Sequence, residues 1–305
     1  MCVWVLLLGI GLAVVTSSCG KKPFHETQPS KVVSQPQPSR QLFQVKGVIV
    51  ELHPEEKSVR IKHEAIPGYM DAMTMSFDVR DTNELVGLES GDTVTFRMTV
   101  TDTDGWIDQI KKLNIPRVST LPTTGPFRLV RDVEPLNVGD PLPEYHFTNQ
   151  LGEPMSLSQF RGQALGITFL FTRCPYPTFC PLMASNFEQV QKRLLATPNA
   201  LTNWHLLTIS FDPEWDTPPR LKSYAERFHY DPQHWSFLTG ELIDITAIAE
   251  QFGLQFWRDP DGSGINHNLR TAVVDARGRV QAILRENKWT PEELTVEILK
   301  AAAVK

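Results

Sequence analysis

Residues 164–196 read ALGITFLFTRCPYPTFCPLMASNFEQVQKRLLA, and this stretch decides the fold of the C-terminal half. Its first part, 164–171, is a near-continuous apolar run, which is typical of a parallel strand buried on both faces. Its last part, NFEQVQKRLLA at 186–196, has the apolar spacing of a helix. The stretch therefore predicts a strand, then a loop that contains two cysteines, then a helix.

The two cysteines of this loop are Cys174 and Cys180. Their separation of 180 − 174 = 6 positions would turn a continuous helix by about 600°, leaving the thiols about 120° apart. Pro175 and Pro177 also oppose a helix, so we expect Cys174 on a loop, Cys180 near the helix start and Pro181 in the first turn. A folded-back loop can still bring the sulfurs together, and a helix N-terminus stabilises the thiolate that binds metals or attacks disulfides. The spacing alone leaves three interpretations open: a metal or redox pair, an inert disulfide, and two unrelated buried thiols.

The rest of residues 137–305 continues the alternation of strands and helices. WHLLTISF is a second buried strand, PRLKSYAERF and LIDITAIAEQFG are helices, and RTAVVDARGRVQAIL is a hairpin. PEELTVEILKAAA is a last helix, with Thr290 as its N-cap and Pro291 in the first turn. The β-α-β-α-β-β-α order predicts an α/β domain with a thioredoxin-like fold.

Residues 41–113 have a different pattern and predict a small all-β domain. QVKGVIVELH, SVRIKHE, MTMSFDV, DTVTFRMTV and WIDQIKKL alternate apolar and polar residues over short runs. Strands of this number and length predict a small barrel. The chain is therefore expected to fold as two domains, a β-barrel followed by an α/β domain, which also suits its 305 residues.

The β domain contains a candidate soft-metal site. Because residues two apart in a strand share a face, His63 lies on one face of its strand, and Met73 and Met75 lie on one face of theirs. Thioether sulfurs with an imidazole select Cu(I) or Ag(I) over harder cations. The alternative is that the methionines only fill the core.

The N-terminus predicts export. Residues 3–15 form an apolar run that is shorter than a membrane span and suits a signal peptide at 1–18. Small residues precede Cys19, as in the lipobox of bacterial lipoproteins, which makes Cys19 the expected site of lipidation. Because Lys21 and Lys22 follow the run and no basic residue precedes it, an uncleaved anchor and a buried helix stay open as alternatives.

Two polar or Pro-rich segments separate the domains from the N-terminus and from each other. Residues 20–40 have the composition of a disordered tether, and residues 114–136 that of a Pro-rich linker. The net charge is −5, from 30 basic and 35 acidic residues, which excludes the basic footprint of a nucleic-acid-binding protein. A composition of 41% hydrophobic and 21% charged residues also excludes a collagen, a disordered chain and a polytopic membrane protein.

The string IKHEAIPGYMDAMTMSF at 61–77 resembles the metal-binding signature of the CusF-like periplasmic copper-binding domain, a five-stranded OB-type barrel. The resemblance covers about residues 43–113 and implies that His63, Met73 and Met75 are copper ligands. That family often has a Trp three positions before the first methionine, where this chain has Met70. Met70 is therefore a candidate for a further thioether ligand, and Tyr69 for the aromatic group.

Four further strings resemble the Sco/SenC family of thioredoxin-like copper proteins over about residues 137–300. They are FTRCPYPTFCPLM, ISFDPEWDTP, HWSFLTG and INHNLRTAVVD. The resemblance implies copper ligation, as Cu(I) or Cu(II), by Cys174, Cys180 and His267, with Asp212 supporting the ligands or facing a partner. The family usually has three residues between its cysteines, often with an Asp among them, whereas this loop is longer and has no acid.

Together the resemblances imply an exported, membrane-tethered copper metallochaperone. Its expected role is to help copper insertion into cytochrome c oxidase, with an oxidase subunit or another copper protein as the partner and with copper capture by the N-terminal barrel. Two other functions stay open: a thiol-disulfide oxidoreductase, which would be an enzyme acting on cysteines of a copper-receiving partner, and a protein that sequesters copper or silver. A metallochaperone has no catalytic residue, and Cys174 and Cys180 would then be a redox-capable ligand pair.

Overall fold

The computed structural model describes residues 40–114, 133–197, 202–258 and 264–304. The predicted signal peptide 1–18 and the lipidation site Cys19 lie outside the described residues, as do all but the ends of the tether and the linker. Among the described residues, no helix is both long enough and apolar enough to cross a membrane.

The five predicted strands of the N-terminal segment are confirmed. They are β1 (Gln41–His53), β2 (Ser58–His63), β3 (Met73–Asp78), β4 (Thr93–Val100) and β5 (Gly105–Lys112). All neighbouring strands are antiparallel, in the order β3-β2-β1-β4-β5. The apolar residues of the alternating pattern form the buried face, with Val59, Phe77 and Phe96 fully buried.

The predicted small barrel is not closed, because the edge strands β3 and β5 form no ladder. Within residues 40–114, their link is an isolated bridge between Val79 and Ile107. After β3 the chain enters a 3-10 turn at Thr82–Leu85, and the Glu84 carboxylate accepts the Ile110 N–H at 2.7 Å. That donor is therefore not available to a closing ladder, and this part of the chain, the N-terminal sheet domain, is an open five-stranded sheet.

The C-terminal domain has a seven-stranded sheet with a thioredoxin-like core, as predicted. The strands are β6 (His146–Asn149), β7 (Pro154–Ser156), β8 (Ala164–Leu170), β9 (Trp204–Ser210), β10 (Trp235–Thr239), β13 (Arg270–Val274) and β14 (Val280–Arg285), and a separate pair is β11 (Phe256–Arg258) and β12 (Ile265–His267). The helices are α1 (Cys180–Ala196), α2 (Pro218–Glu226), α3 (Leu242–Gln251) and α4 (Pro291–Ala302). The order in the large sheet is β14-β13-β8-β9-β10-β6-β7, with β8, β9 and β10 parallel.

Strand β8 lies inside this sheet, between β13 and β9, and both of its faces are covered. Every residue of β8 is buried, as its apolar run predicts. A side chain at Gly166 would meet Leu206 at 2.9 Å and Ile298 at 3.0 Å, so the glycine lets α4 approach the strand closely. The cap predicted for α4 is present as a capping box, in which Thr290 and Glu293 bond each other's backbone N–H groups.

The sequence pattern missed the short strands. Strand β10 lies in the string HWSFLTG, and all of it is buried between β9 and β6. A run this short fits a buried strand or a helix segment equally well, so periodicity could not assign it. The β11–β12 pair was also missed, because each of its strands is too short to show a period.

The two domains are packed against each other. The described residues of both domains belong to one compact unit, and β12 of the C-terminal domain lies against β3 of the N-terminal sheet domain. The ends of the two domains that carry the candidate metal ligands are therefore in contact.

Candidate metal centre

The cysteine loop follows β8 as predicted, and it ends where α1 begins. Cys180 is the first residue of α1 and is fully buried, and Pro181 lies in the first turn. Cys174 lies on the loop and is partly buried. Both thiols are free, so the structure has no disulfide between them.

Strand β12 supplies the histidine of this site. His267 ends the strand and is buried against the rings of Phe171, Phe179 and Phe211, with centroids 5.6, 5.6 and 5.0 Å from that of the imidazole. Its Nδ1 lies 3.0 Å from the backbone carbonyl of Asn268. Because a carbonyl only accepts, Nδ1 carries the proton and Nε2 has the lone pair that can bind a metal.

The loop and β12 bring three candidate ligands together. The ligand atoms of Cys174, Cys180 and His267 all lie within 4.8 Å of one another. Two thiolates with one imidazole suit Cu(I) through the sulfurs and Cu(II) through the nitrogen. The long cysteine spacing is therefore compatible with a shared site, because the loop folds back on the start of α1.

The two thiols differ in acidity. The hydrogen bond with Cys180 and the nearby His267 hold the pKa of Cys174 well below its ordinary value. Burial raises the pKa of Cys180 well above its ordinary value, and the neighbouring Cys174 raises it further. Cys174 is therefore the more acidic thiol of the pair.

Two buried carboxylates, those of Asp212 and Asp216, link the cysteine loop to the elements around it. Asp212 is fully buried, pairs with Arg173 at 2.8 Å and also pairs with Arg258. Asp216 accepts the Thr172 N–H at 3.0 Å. Asp212 therefore supports the residue before Cys174 and the strand that pairs with β12.

In the N-terminal sheet domain, the predicted ligands lie on adjacent strands. His63 and Met73 are direct cross-strand partners, and Met75 lies two residues farther along β3 on the same face. All three are buried, with exposed fractions of 1%, 8% and 4%. The His63 Nδ1 lies 2.7 Å from the Glu64 carbonyl, so Nδ1 donates and the lone pair is on Nε2.

The loop between β2 and β3 places the other two candidates. Met70 is buried, and its backbone pairs with that of Ile66 in an isolated bridge. Tyr69 stacks on Phe43 with centroids 4.6 Å apart, and its hydroxyl donates to the Pro175 carbonyl at 3.1 Å. Tyr69 therefore contacts the cysteine loop of the other domain.

Three more contacts join the two candidate sites, and sequence reasoning missed them. The Thr74 N–H donates to the Asn266 side-chain carbonyl, so the residue between Met73 and Met75 is bonded to the residue before His267. A side chain at Gly264 would meet the Ala72 carbonyl at 2.5 Å and the Met73 Cβ at 2.9 Å.

The third contact is made by Tyr176, which lies between the two cysteines in sequence. Its ring packs edge-on against Phe77 at 5.9 Å, and its side chain is 1% exposed. A side chain at Gly105 would meet the Tyr176 ring and hydroxyl at 2.8 Å. The aromatic residue in an unusually long cysteine loop was the available signal for a contact of this kind.

A cavity of about 360 Å³ lies between the domains at this place. Its N-terminal wall includes Tyr69, Met70 and Met73, and its C-terminal wall includes Arg173 and Pro175, the two neighbours of Cys174. The candidate thioether ligands and the cysteine loop therefore share one space.

A thioredoxin-like fold with two cysteines and a remote histidine gathered at the end of a central strand defines a class of metal-binding thioredoxin-like proteins. The SCO1/SenC family model matches residues 136–303, more than half of the chain. The chain belongs to the SCO1/SenC family. A second family model, copper binding periplasmic protein CusF, matches residues 42–112. Copper is the ion that these two families bind.

Several relatives are similar to this chain over a little more than half of its length. The SCO1 protein homolog of Bacillus subtilis (strain 168) is 28% identical over 161 residues, which is 52% of this chain and 81% of the relative. A solved SCO1/SenC family lipoprotein from Bacillus anthracis str. Ames is 29% identical and covers 55% of this chain and 98% of its own, with a TM-score of 0.47. BsSco, a member of the Sco family of cytochrome c oxidase assembly proteins, is 27% identical and covers 57% of this chain and 99% of its own, also with a TM-score of 0.47.

Proposed function

We propose that this protein is an exported copper metallochaperone with two copper sites, one in each domain. The observation that carries the proposal is the convergence of Cys174, Cys180 and His267 within 4.8 Å. Two thiolates with one imidazole suit copper in both oxidation states. Copper is here the cargo, which the protein accepts and passes on by ligand exchange.

The C-terminal site would deliver copper to cytochrome c oxidase or to another copper protein. BsSco, at 27% identity, belongs to a family of cytochrome c oxidase assembly proteins, which supports this choice of partner. The N-terminal sheet domain would capture Cu(I) with His63, Met73 and Met75, with Met70 as a further thioether. The burial of these side chains in a domain that the CusF model matches supports this role.

The protein would work outside the cytoplasm, held at a membrane through lipid on Cys19 or through an uncleaved N-terminal anchor. The apolar run before Cys19 supports export. The periplasmic description of the CusF family and the lipoprotein relative from Bacillus anthracis support the same location. A tether to the membrane would keep the copper sites near a membrane-bound acceptor.

A second function is favoured by the asymmetry of the two thiols. A lowered pKa at Cys174 beside a raised pKa at Cys180 is the arrangement that a thiol-disulfide oxidoreductase uses, with one thiolate to attack a disulfide and a second thiol to resolve it. In this alternative the protein would reduce cysteines of a copper-receiving partner. A reversible dithiol couple that turns over a disulfide substrate without copper would favour it.

The first test is an anaerobic Cu(I) titration of the full-length chain in detergent, against a competing chelator. We expect two equivalents to bind, and the Cys174→Ser/Cys180→Ser variant should lose one of them. The Met73→Leu/Met75→Leu variant should lose the other, because leucine removes the thioether ligands but keeps the apolar volume.

Met98→Leu is the matched control, because Met98 is fully buried in β4 and belongs to neither candidate site. It should keep both equivalents. If the cysteine variant binds as much copper as the unmodified chain, the cysteines are not ligands and the oxidoreductase becomes the better interpretation.

A further inference from the structure

The contacts between the domains are concentrated on residues that flank the candidate ligands. Thr74, between Met73 and Met75, is bonded to Asn266, which precedes His267. Tyr69, which precedes Met70, donates to the carbonyl of Pro175, which follows Cys174, at 3.1 Å. Each bond therefore ties a ligand-bearing segment of one domain to a ligand-bearing segment of the other.

The apolar part of the interface is centred on the cysteine loop. Tyr176 is 1% exposed and lies against Phe77 and Gly105 of the N-terminal sheet domain. Among the described residues its hydroxyl has no hydrogen-bond partner, so the ring is held there by packing alone. A buried aromatic ring supplies much of the energy of an interface, which makes Tyr176 the anchor of this one.

We propose that this docked arrangement is the state in which copper passes between the two domains of the chain. Cu(I) would move from the thioethers of the N-terminal sheet domain to the thiolates of Cys174 and Cys180 across the shared cavity, without release to solvent. The proposal rests on the proposed function, because it needs copper at both sites. It goes further by assigning the transfer to a defined interface, with Tyr176 as its anchor and Asn266 and Tyr69 as its polar contacts.

The transfer is a ligand exchange with no change in oxidation state. A bond from copper to a methionine sulfur breaks as a bond from copper to a cysteine sulfur forms, and copper stays Cu(I). A cysteine that is still a thiol releases its proton to solvent when it coordinates. The thioether needs no proton, because it is neutral both free and bound.

Docking predicts a faster transfer than a flexible linker alone provides. A linker of this length alone gives each domain an effective concentration of roughly 1 mM in the neighbourhood of the other. A fixed arrangement gives higher effective concentrations, because the two sites need not find each other in the correct orientation. Separating the domains should therefore slow the transfer without abolishing it.

Two glycines allow this to be tested without changing a ligand. The three atoms nearest to a Cβ built at Gly105 all belong to Tyr176, so Gly105→Leu would push the cysteine loop away from the N-terminal side. A side chain at Gly264 would meet the Ala72 carbonyl at 2.5 Å, so Gly264→Ala would separate the domains from the C-terminal side. Neither glycine has a positive φ, so the backbone itself accepts a side chain.

The experiment is stopped-flow mixing of the metal-free full-length chain with one equivalent of a Cu(I)–chelator complex. The ultraviolet charge-transfer band of Cu(I)–thiolate reports arrival at the cysteines. We expect a first-order transfer phase that does not depend on protein concentration, and we expect Gly105→Leu and Gly264→Ala each to slow it about 10-fold. Chelator competition should show that each site keeps its affinity within about two-fold in these variants.

Gly240→Ala is the matched control, because its new side chain would meet Phe147 at 3.3 Å, away from the interface, and it should leave the transfer rate unchanged. Tyr69→Phe is a conservative third variant that keeps the ring stacked on Phe43 and loses only the bond to Pro175. We expect it to slow transfer two- to three-fold, which keeps the test decisive if a glycine variant fails to fold.

The outcomes separate the inference from the proposed function. If Met73→Leu/Met75→Leu slows loading of the cysteines but the interface variants do not, transfer needs no docking, and the inference is overturned while the proposed function stands. If the methionine variant loads the cysteines as fast as the unmodified chain, capture by the N-terminal sheet domain is overturned as well.

Discussion

Burial of the single side chain of His205 makes the stability of this protein depend on pH. His205 lies in β9, 6% exposed, with its Nε2 2.9 Å from the Ser236 hydroxyl. Burial lowers the pKa of His205 from its ordinary 6.5 to about 4, because the charged imidazolium is poorly solvated there. The unfolded chain therefore binds a proton at a pH at which the folded chain does not.

This difference gives a pH dependence with a definite sign. The pKa of His205 is lower in the folded chain than in the unfolded chain. Its contribution to the free energy of unfolding is therefore fully present above about pH 6.5 and is lost as the pH falls toward 4. We expect His205 to account for about 2 kcal/mol of lost unfolding free energy between pH 7.5 and pH 5. Urea unfolding of the unmodified chain and of His205→Gln at the two pH values measures it as a difference between variants.

His146→Gln serves as the control for this experiment, because His146 is exposed in strand β6 of the same sheet. It should follow the pH profile of the unmodified chain. Parallel profiles for the unmodified chain and His205→Gln would contradict the expectation.

At the scale of elements, the candidate metal centre depends on how the cysteine loop and the β11–β12 pair are held together. Asp212 pairs with Arg173 on the loop and with Arg258 on β11, and its carboxylate is fully buried. In Asp212→Asn both guanidinium groups lose a charged partner, so the loop and the strand are free to shift relative to each other. We expect the copper affinity of the site formed by Cys174, Cys180 and His267 to fall 10- to 100-fold. A loss of this size is typical when a residue that orients the ligands of a metal is replaced.

The measurement is competition with a chelator, together with the thiolate-to-Cu(II) charge-transfer band, which responds to ligand geometry and not to overall stability. Glu214→Gln is the matched control, because Glu214 lies 3.6 Å from the same Arg258 but is 81% exposed. It should keep the affinity within about two-fold, since exposed pairs contribute little. An unchanged affinity and band in Asp212→Asn would show that the carboxylate does not position the ligands.

The elements also show what the sequence could and could not predict. The five strands of the N-terminal segment and the strand–loop–helix around the cysteines were predictable, because long amphipathic or apolar runs have a clear period. The β11–β12 pair was not, because strands as short as Phe256–Arg258 show no period. His267 was nominated by motif resemblance alone, since its approach to the cysteines depends on that pair. That the predicted small barrel is not closed could not be foreseen, because the Glu84 contact at the edge of β5 is a side-chain interaction that no periodicity encodes.

At the scale of the whole molecule, the docked domains place the cysteine loop between them, and this affects access to Cys174. The loop is held by the Tyr69 bond to Pro175 and by Tyr176 in the N-terminal sheet domain. Under the proposed function, a protein acceptor would approach Cys174 through the face of the loop that the N-terminal sheet domain covers, so delivery would require the domains to separate. The docked state would thus receive copper, and the separated state would deliver it.

Accessibility of Cys174 therefore reports the separation of the domains. In the metal-free chain, we expect a polymer-linked maleimide to modify Cys174 about 10-fold more slowly than in Gly105→Leu, because local opening must precede a reaction with so large a reagent. With iodoacetamide, the rates of Cys174 modification in the unmodified chain and in Gly105→Leu should differ less, because a small reagent enters a partly buried site more easily. Cys180 is fully buried at the start of α1 and should react slowly in both.

A Cys174→Ser variant of each chain gives the background from Cys2, Cys19 and Cys180, and Gly240→Ala controls for an added methyl group elsewhere in the fold. Peptide mass spectrometry assigns the modified site. Equal maleimide rates in the unmodified chain and in Gly105→Leu would mean that the N-terminal sheet domain does not cover the loop. Delivery would then need no separation of the domains. The alternative outcome is that maleimide modifies Cys174 more slowly in the unmodified chain and that Gly105→Leu and Gly264→Ala each remove this slowing. One interface would then control both the receipt of copper and its release.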